Sequence, residues 1–406
     1  GTIDATATNS TVVIANGTAS GAATAWGQNS VFLNDQCYNL TVSANGLILA
    51  AGTTLDILND LDMTGTFDLA TNANTTLKLR KEPTSWGTMS TDDQSRLEFL
   101  DHATDVATIT IPDAATPIEQ LILNRTAGVT TPTGANLTVD DIITLTKGTV
   151  IISNGRSLVL TNTGASATAL SATTGNFDVS STSGTFDYNG GALSWPAEIT
   201  QIWDLDIAGN TAAVTLLGDL EVLDDLTLGS GNTLVIGGNT LTLNKALNDA
   251  ANDLVGTTAA SSKIICNGSD AGDIIFGNGV TGLHTLVVNR TDAAGEVTIG
   301  VNFEVSNTLT LTDGILDVVT FSLTLTGDNF TITNGSFAAD AAGAGELEIS
   351  GAGAELTLPA ALGTIQTLEI NRANGVKLGG DLVIDGVAVE GGLILTAGNF
   401  DIHAYD

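Results

Sequence analysis

Apolar and polar residues alternate in short runs along most of the chain. Leu309-Thr-Leu-Thr312, Ile315-Leu-Asp-Val318, Leu323-Thr-Leu-Thr326 and Phe330-Thr-Ile-Thr333 follow one another directly. Alternation of period two predicts strands whose side chains point inward and outward in turn. Asp313-Gly314, Gly327-Asp-Asn329 and Asn334-Gly335 separate these strands with residues that favour tight turns. Strand starts recur about every six to eight residues, closer than the 8–12-residue turn spacing of a β-sandwich. The pattern predicts a coil with three flat faces joined by tight corners. Helical periodicity is nearly absent.

A longer period overlies the short one. Ile118-Glu-Gln-Leu-Ile-Leu-Asn-Arg125, Leu283-His-Thr-Leu-Val-Val-Asn-Arg290 and Ile365-Gln-Thr-Leu-Glu-Ile-Asn-Arg372 repeat a single anchor phrase. Cys37-Tyr-Asn-Leu-Thr-Val42 and Ile202-Trp-Asp-Leu-Asp-Ile207 are weaker copies. Their last apolar positions, Val42, Leu123, Ile207, Val288 and Ile370, recur at a near-constant interval of about 82 residues, the mark of one structural unit repeated along the chain. Pro112, Pro196 and Pro359 each lie 11 residues before an anchor position and are expected to end a strand.

These periods predict an all-β fold: an elongated β-solenoid (β-helix) of about 20 short coils built from repeats of about 82 residues. The alternative is a string of small β-sandwich repeats. Residues 1–41 read as the tail of a repeat, 42–122, 123–206, 207–287 and 288–369 as four full repeats, and 370–406 as the start of another, all in one continuous body. Lys78 to Arg96 and Asn244 to Asp253 stand out in composition and read as surface-loop inserts.

Composition narrows the partners. The 406 residues carry 45 acidic side chains against 12 Lys plus Arg, for a net charge of −33. This argues against a nucleic acid or an anionic membrane surface, both of which need basic patches. No run of about 18 apolar residues predicts insertion into a membrane.

Candidate chemistry is sparse. His102, His284 and His403 are far apart, and no metal-protease, hydrolase or phosphate-binding motif appears. The chain therefore reads as no enzyme, with no catalytic residue and no cofactor. Acidic clusters at Asp60 and Asp62, Asp140-Asp141 and Asp219 to Asp225 suit Ca2+, but no specific calcium motif supports it, and Asp and Asn also serve turns. Arg125, Arg290 and Arg372 are a quarter of the basic residues and read either as ion pairs with an Asp of the next coil or as contacts with an acidic neighbouring subunit. Asn9, Asn16, Asn39, Asn74, Asn124, Asn136, Asn267, Asn289, Asn329 and Asn334 begin Asn-x-Ser/Thr and are candidate N-glycosylation sites. Cys37 and Cys266 read as buried thiols. About 11 coils would separate them, too far for a bridge within one chain, so a disulfide would have to join subunits.

Leu309-Thr-Leu-Thr-Asp-Gly-Ile-Leu-Asp317 and Leu395-Thr-Ala-Gly-Asn-Phe-Asp401, together with the anchors, resemble tandem-repeat β-solenoid proteins of bacterial and archaeal cell surfaces, adhesin-like or filament- and sheath-forming. The resemblance implies an exported structural role; with the acidic composition and the sequons, the expectation is an extracellular glycoprotein that meets surface glycans or other surface proteins. It transfers no functional residue. The stretch after Ile370 and the stretch up to Val42 together make nearly one repeat. Either the sequence is a window of a longer repeat chain, or copies stack head to tail in register; the second is the expectation, a homopolymer forming a filament, tube or sheath. The alternatives are an adhesin stalk and a polysaccharide-active β-helix.

Overall fold

A computed structural model describes residues 3–6, 10–15, 24–26, 32–43, 47–49, 51–69, 74–92, 94–105, 107–113, 117–162, 166–180, 183–209, 213–249, 254–256, 261–269, 273–277, 279–291, 296–338, 345–385 and 392–402. Among these residues there are strands and turns but no helix. The chain divides into two compact units, Gly1–Ile199 and Thr200–Asp406.

Each unit is a parallel β-solenoid. In the second, one coil shows the plan. Phe303–Asp313 runs along two faces and Ile315–Asp317 along the third. Phe303 pairs with Leu323, Leu309 with Phe330 and Leu316 with Phe337, each in the next coil. The three faces are called leading, middle and trailing, in chain order. In the first unit the single strand Thr54–Asp68 bends through all three: Ile57 pairs with Leu79, Met63 with Trp86 and Phe67 with Met89. Parallel pairing of successive coils excludes the string of sandwiches, whose strands meet antiparallel.

Alternation builds the core. Leu309 and Leu311 are fully buried, whereas Thr308 and Thr310, which alternate with them, are half-buried and face outward. Each inward residue stacks on an inward residue one coil away: Leu243, Cys266, Val288, Leu311 and Ile332 succeed one another in register. Ile109–Thr110, Leu193–Trp195 and Leu356–Thr357 each end just before a proline region, as expected.

Many coils are longer than the sequence periods predict. Leu77 pairs with Leu97 by a short step, but Ile143 pairs with Leu170 and Leu247 with Ile274 by much longer ones. Corners absorb the extra chain, so the described residues make about 15 turns, fewer than expected.

The anchor period and the coil are consequently out of step. Ile370, Ile349, Leu325 and Val305 stack over three coils on the leading face, and Val305 lies two faces after Val288. Val288 likewise stacks on Cys266, Leu243 and Val222, and Val222 lies two faces after Ile207. In the first unit Leu123 stacks on Phe99, Leu79 and Ile57, two faces after Val42. Each anchor is therefore one face earlier than its predecessor: trailing, middle and leading in the second unit, middle and leading in the first.

Lys78 to Arg96 is not a loop. It holds the strands Thr75–Leu79, Ser85–Ser90 and Ser95–Leu100 of regular coils. Three of its four basic residues point outward into ion pairs between coils: Lys78 with Glu98 at 2.6 Å, Arg80 with Asp56 at 2.9 Å and Arg96 with Glu119 at 2.7 Å. Within Asn244 to Asp253, Leu247–Asp249 is likewise a strand of the trailing face.

Replacing an inward residue should cost far more than replacing its outward neighbour. Leu309→Ala is expected to destabilise by about 2–5 kcal/mol and Thr310→Ala by about 0.5 kcal/mol or less, compared through the shift in guanidinium denaturation midpoint.

Candidate functional site

The anchor ends bring the most polar chemistry inside. In Leu121-Ile-Leu-Asn-Arg125, alternation buries Leu121 and Leu123, leaves Asn124 half-buried and turns Arg125 inward. Arg125, Arg290 and Arg372 are 1%, 0% and 0% exposed. A buried guanidinium is tolerated only where its N–H groups find acceptors, and coil corners supply them. Arg290 Nη1 donates to the carbonyl oxygens of Lys245 at 3.0 Å and Asn267 at 3.2 Å. Arg372 Nη1 donates to Gly327 O at 3.2 Å and Ser350 O at 2.9 Å, its Nε to Ala354 O at 2.7 Å, and its Nη2 to Asp328 Oδ1. Arg125 Nη1 donates to Arg80 O and, at 3.2 Å, to Leu100 O, while Nη2 reaches Asp105 Oδ2 at 3.1 Å and Ala107 O at 2.6 Å.

This corrects the expectation that the three arginines contact a neighbouring subunit. Their charge is spent inside the stack, where the side chains have no free surface. The sequence held the signal: Arg has the same parity as the apolar residues before it. Arg125 and Arg372 do form ion pairs, with Asp105 and Asp328, but these partners belong to preceding coils and not to the next coil that the ion-pair alternative named.

Around Arg125 the charges interlock. Burial pushes the Asp105 carboxyl up, but amide hydrogen bonds from Ala107 and Glu82 and the Arg125 charge together hold it below the usual carboxylate range. Burial, reinforced by Asp105, raises Glu82 against the Thr110 amide and Arg125. A shallow cavity beside this corner is lined by Asp101, His102, Asp105 and Thr126. His102 Nδ1 accepts the amides of Thr104 at 3.3 Å and Asp105 at 3.2 Å, and Asp101 pairs with Lys147. The ring shapes the corner turn. His284 lies in the other unit, and His403 is outside the described residues.

The acidic clusters mostly serve the stack. Asp219 Oδ1 accepts the Thr240 amide at 2.7 Å, Asp225 the Ala246 amide at 3.3 Å, and Asp113 the Gly134 amide at 2.7 Å, each 21 residues on. Asn136 does the same for Ser157 at 3.0 Å. Corner carboxylates and carboxamides thus satisfy an amide one coil away. Among the described residues no three His, Cys, Asp or Glu side chains are placed to hold a metal ion.

The candidate glycosylation asparagines fall into two groups. Asn74, Asn136, Asn329 and Asn334 are exposed. Asn39, Asn124, Asn267 and Asn289 are half-buried in strands. Three of these join side-chain ladders: Asn289 Nδ2 donates to Asn267 at 2.8 Å, Asn267 to Asn244 at 3.0 Å, and Asn59 to Asn39 at 2.7 Å. Asn9 and Asn16 lie outside the described residues.

Cys37 and Cys266 are free thiols with 0% exposure. Burial pushes both up to about 12, aided by Asp56 at Cys37 and opposed by Arg290 at Cys266. An intersubunit disulfide runs against this geometry, because each thiol is enclosed by its own row.

The last described coil is built differently. Gly392–Ala397 hydrogen-bonds to Thr367–Arg372 along one edge, with Leu393 opposite Leu368 and Leu395 opposite Ile370. Leu368 and Ile370 are fully buried, yet Leu393 and Leu395 are 43% and 56% exposed. Beneath this strand the leading face carries Glu348 and Glu369 in register, with Glu346 on the same strand as Glu348.

Comparison with protein-family models, curated proteins and solved structures finds no match for the chain.

Two measurements probe these sites. Neither thiol should react with an aromatic disulfide reagent at about pH 8 in the folded protein, and both should react once it is unfolded; native labelling would show that their coils open. Burial, then the charge of and a hydrogen bond with Glu369, and then Glu348, raise the Glu346 carboxyl against a Ser322 hydrogen bond. A raised folded value gives stability that is full below the unfolded value and lost as pH rises through the folded one. Glu346→Gln should therefore flatten the fall in denaturation midpoint between about pH 4 and 7.

Proposed function

We propose that this is a structural protein that extends itself: the open coil at Gly392–Ala397 pairs with the first strands of a second copy. The observation that carries the reading is the exposure of Leu393 and Leu395 in a row whose preceding members are fully buried. Among the described residues no strand pairs with the other edge of Gly392–Ala397; such an apolar edge is a template for another strand, and burying a leucine side chain contributes about 1.5–3 kcal/mol.

A second copy fits because each unit is a parallel solenoid with a defined direction. All strands of a parallel solenoid point the same way round, so a last edge is complemented by a first edge of the same kind. Ile3–Ala5 and Thr11–Ala15 pair with Phe32–Ser43, and Thr24–Trp26 pairs with Leu47–Leu49. Among the described residues, their other edges carry no strand. Such a contact is heterologous and does not close, which favours a filament, tube or sheath. We place it at the cell surface, in line with the resemblance of its Leu-Thr-Leu-Thr strands to surface solenoids. Copies carrying −33 each repel, so assembly should need salt to screen them.

Electron microscopy and sedimentation from about 10 mM to 1 M NaCl test this. Ordered polymers that lengthen with salt are expected, and Leu395→Lys should abolish them while leaving the circular dichroism of the coils unchanged. A monomer at every salt concentration, or polymers that persist in Leu395→Lys, would overturn the reading.

A further inference from the structure

We propose that Arg125, Arg290 and Arg372 are backward-reaching latches, each coupling the opening of its own coil to that of the two coils before it. Three independent copies share the geometry. Arg290 Nη1 holds the carbonyl of Lys245, two coils back, and that of Asn267, one coil back. Arg372 holds Gly327 and Ser350 in the same way. Arg125 holds Arg80 and Leu100. One planar group thus spans three successive levels of the stack.

The downstream side is built for closeness. Gly148, Gly314 and Gly398, at φ +85°, +85° and +79°, lie against the carbonyl oxygens of Arg125, Arg290 and Arg372, where a Cβ would collide. The backbone of the following coil thus packs directly on the corner. The carbonyls that Arg125, Arg290 and Arg372 hold through Nη1 lie in preceding coils.

Energetics make this a latch. Opening either preceding coil removes acceptors from a guanidinium with no exposed surface, and leaving a buried charge short of partners is costly. Opening the arginine's own coil strips a donor from carbonyls at both earlier levels. The three levels should open as one cooperative unit, whereas coils tied only by strand pairing open singly. Lys and Arg are not equivalent here, because an ammonium is a compact point charge without the planar fork.

Hydrogen–deuterium exchange of the full chain tests the direction. In Arg290→Met, exchange should rise about tenfold or more both in Lys263–Gly268, one coil back, and in Thr240–Leu243, two coils back. Asn329–Ile332, two coils ahead, should stay unchanged. Arg290→Lys keeps the charge and serves if the methionine variant does not fold: it should release Thr240–Leu243 while Lys263–Gly268 stays protected. Equal increases two coils back and two coils ahead, or no increase at Thr240–Leu243 in the folded variants, would overturn the latch.

Discussion

Everything in this protein depends on like stacking on like from one coil to the next. Parallel pairing places each residue directly over the residue one coil earlier, so an inward leucine needs an inward apolar neighbour and an outward threonine an outward one. The rows Leu243–Cys266–Val288–Leu311 and Ile57–Leu79–Phe99–Leu123 show the rule satisfied repeatedly. Cys266 sits in such a row, and its thiol is spent as a small apolar group rather than a reactive one. A single register slip would turn a row inside out, which is why the paired rows stay in step while corners absorb the variation.

Corners are where polar groups must be reconciled with stacking. Each turn leaves amides and carbonyls that no ladder satisfies. The chain answers with two devices. Corner Asp and Asn side chains accept an amide one coil on, as Asp219 does for Thr240 and Asp113 for Gly134. Buried arginines collect the carbonyls. Part of the acidity that looks like a surface property in the composition is thereby local hydrogen bonding, as at Asp113, Asp219 and Asp225.

The fold class was readable because its cause is local. Leu-Thr-Leu-Thr alternation and Asn-Gly or Asp-Gly turns report strands and corners directly, and the regular spacing of the anchor phrases reports repetition. Coil length was harder, since it depends on corner insertions such as the stretch between Ile143 and Leu170 that leave no periodic mark. Lys78 to Arg96 misled because outward charges look foreign beside Thr-rich strands, although their parity with Leu77, Leu79 and Leu97 is regular. Arg125, Arg290 and Arg372 misled in the opposite sense: charge suggested the surface while position parity pointed inward. The open edge at Leu393 and Leu395 had no signature at all, since their alternation matches that of buried rows and exposure depends on what lies over them.

The mismatch between anchor period and coil length has a geometric outcome. A repeat commensurate with the coil would place every anchor corner along one side, like teeth on a comb. Here each repeat within a unit falls one face short, so in the second unit Ile207, Val288 and Ile370 occupy all three sides in turn. The two periods act as a vernier, and the anchor positions trace a slow spiral that winds against the chain's own direction. Arginine reinforcement in the second unit therefore falls on two sides, with Arg290 after the middle face and Arg372 after the leading one, and the Ile207 copy leaves the trailing side to strand pairing alone.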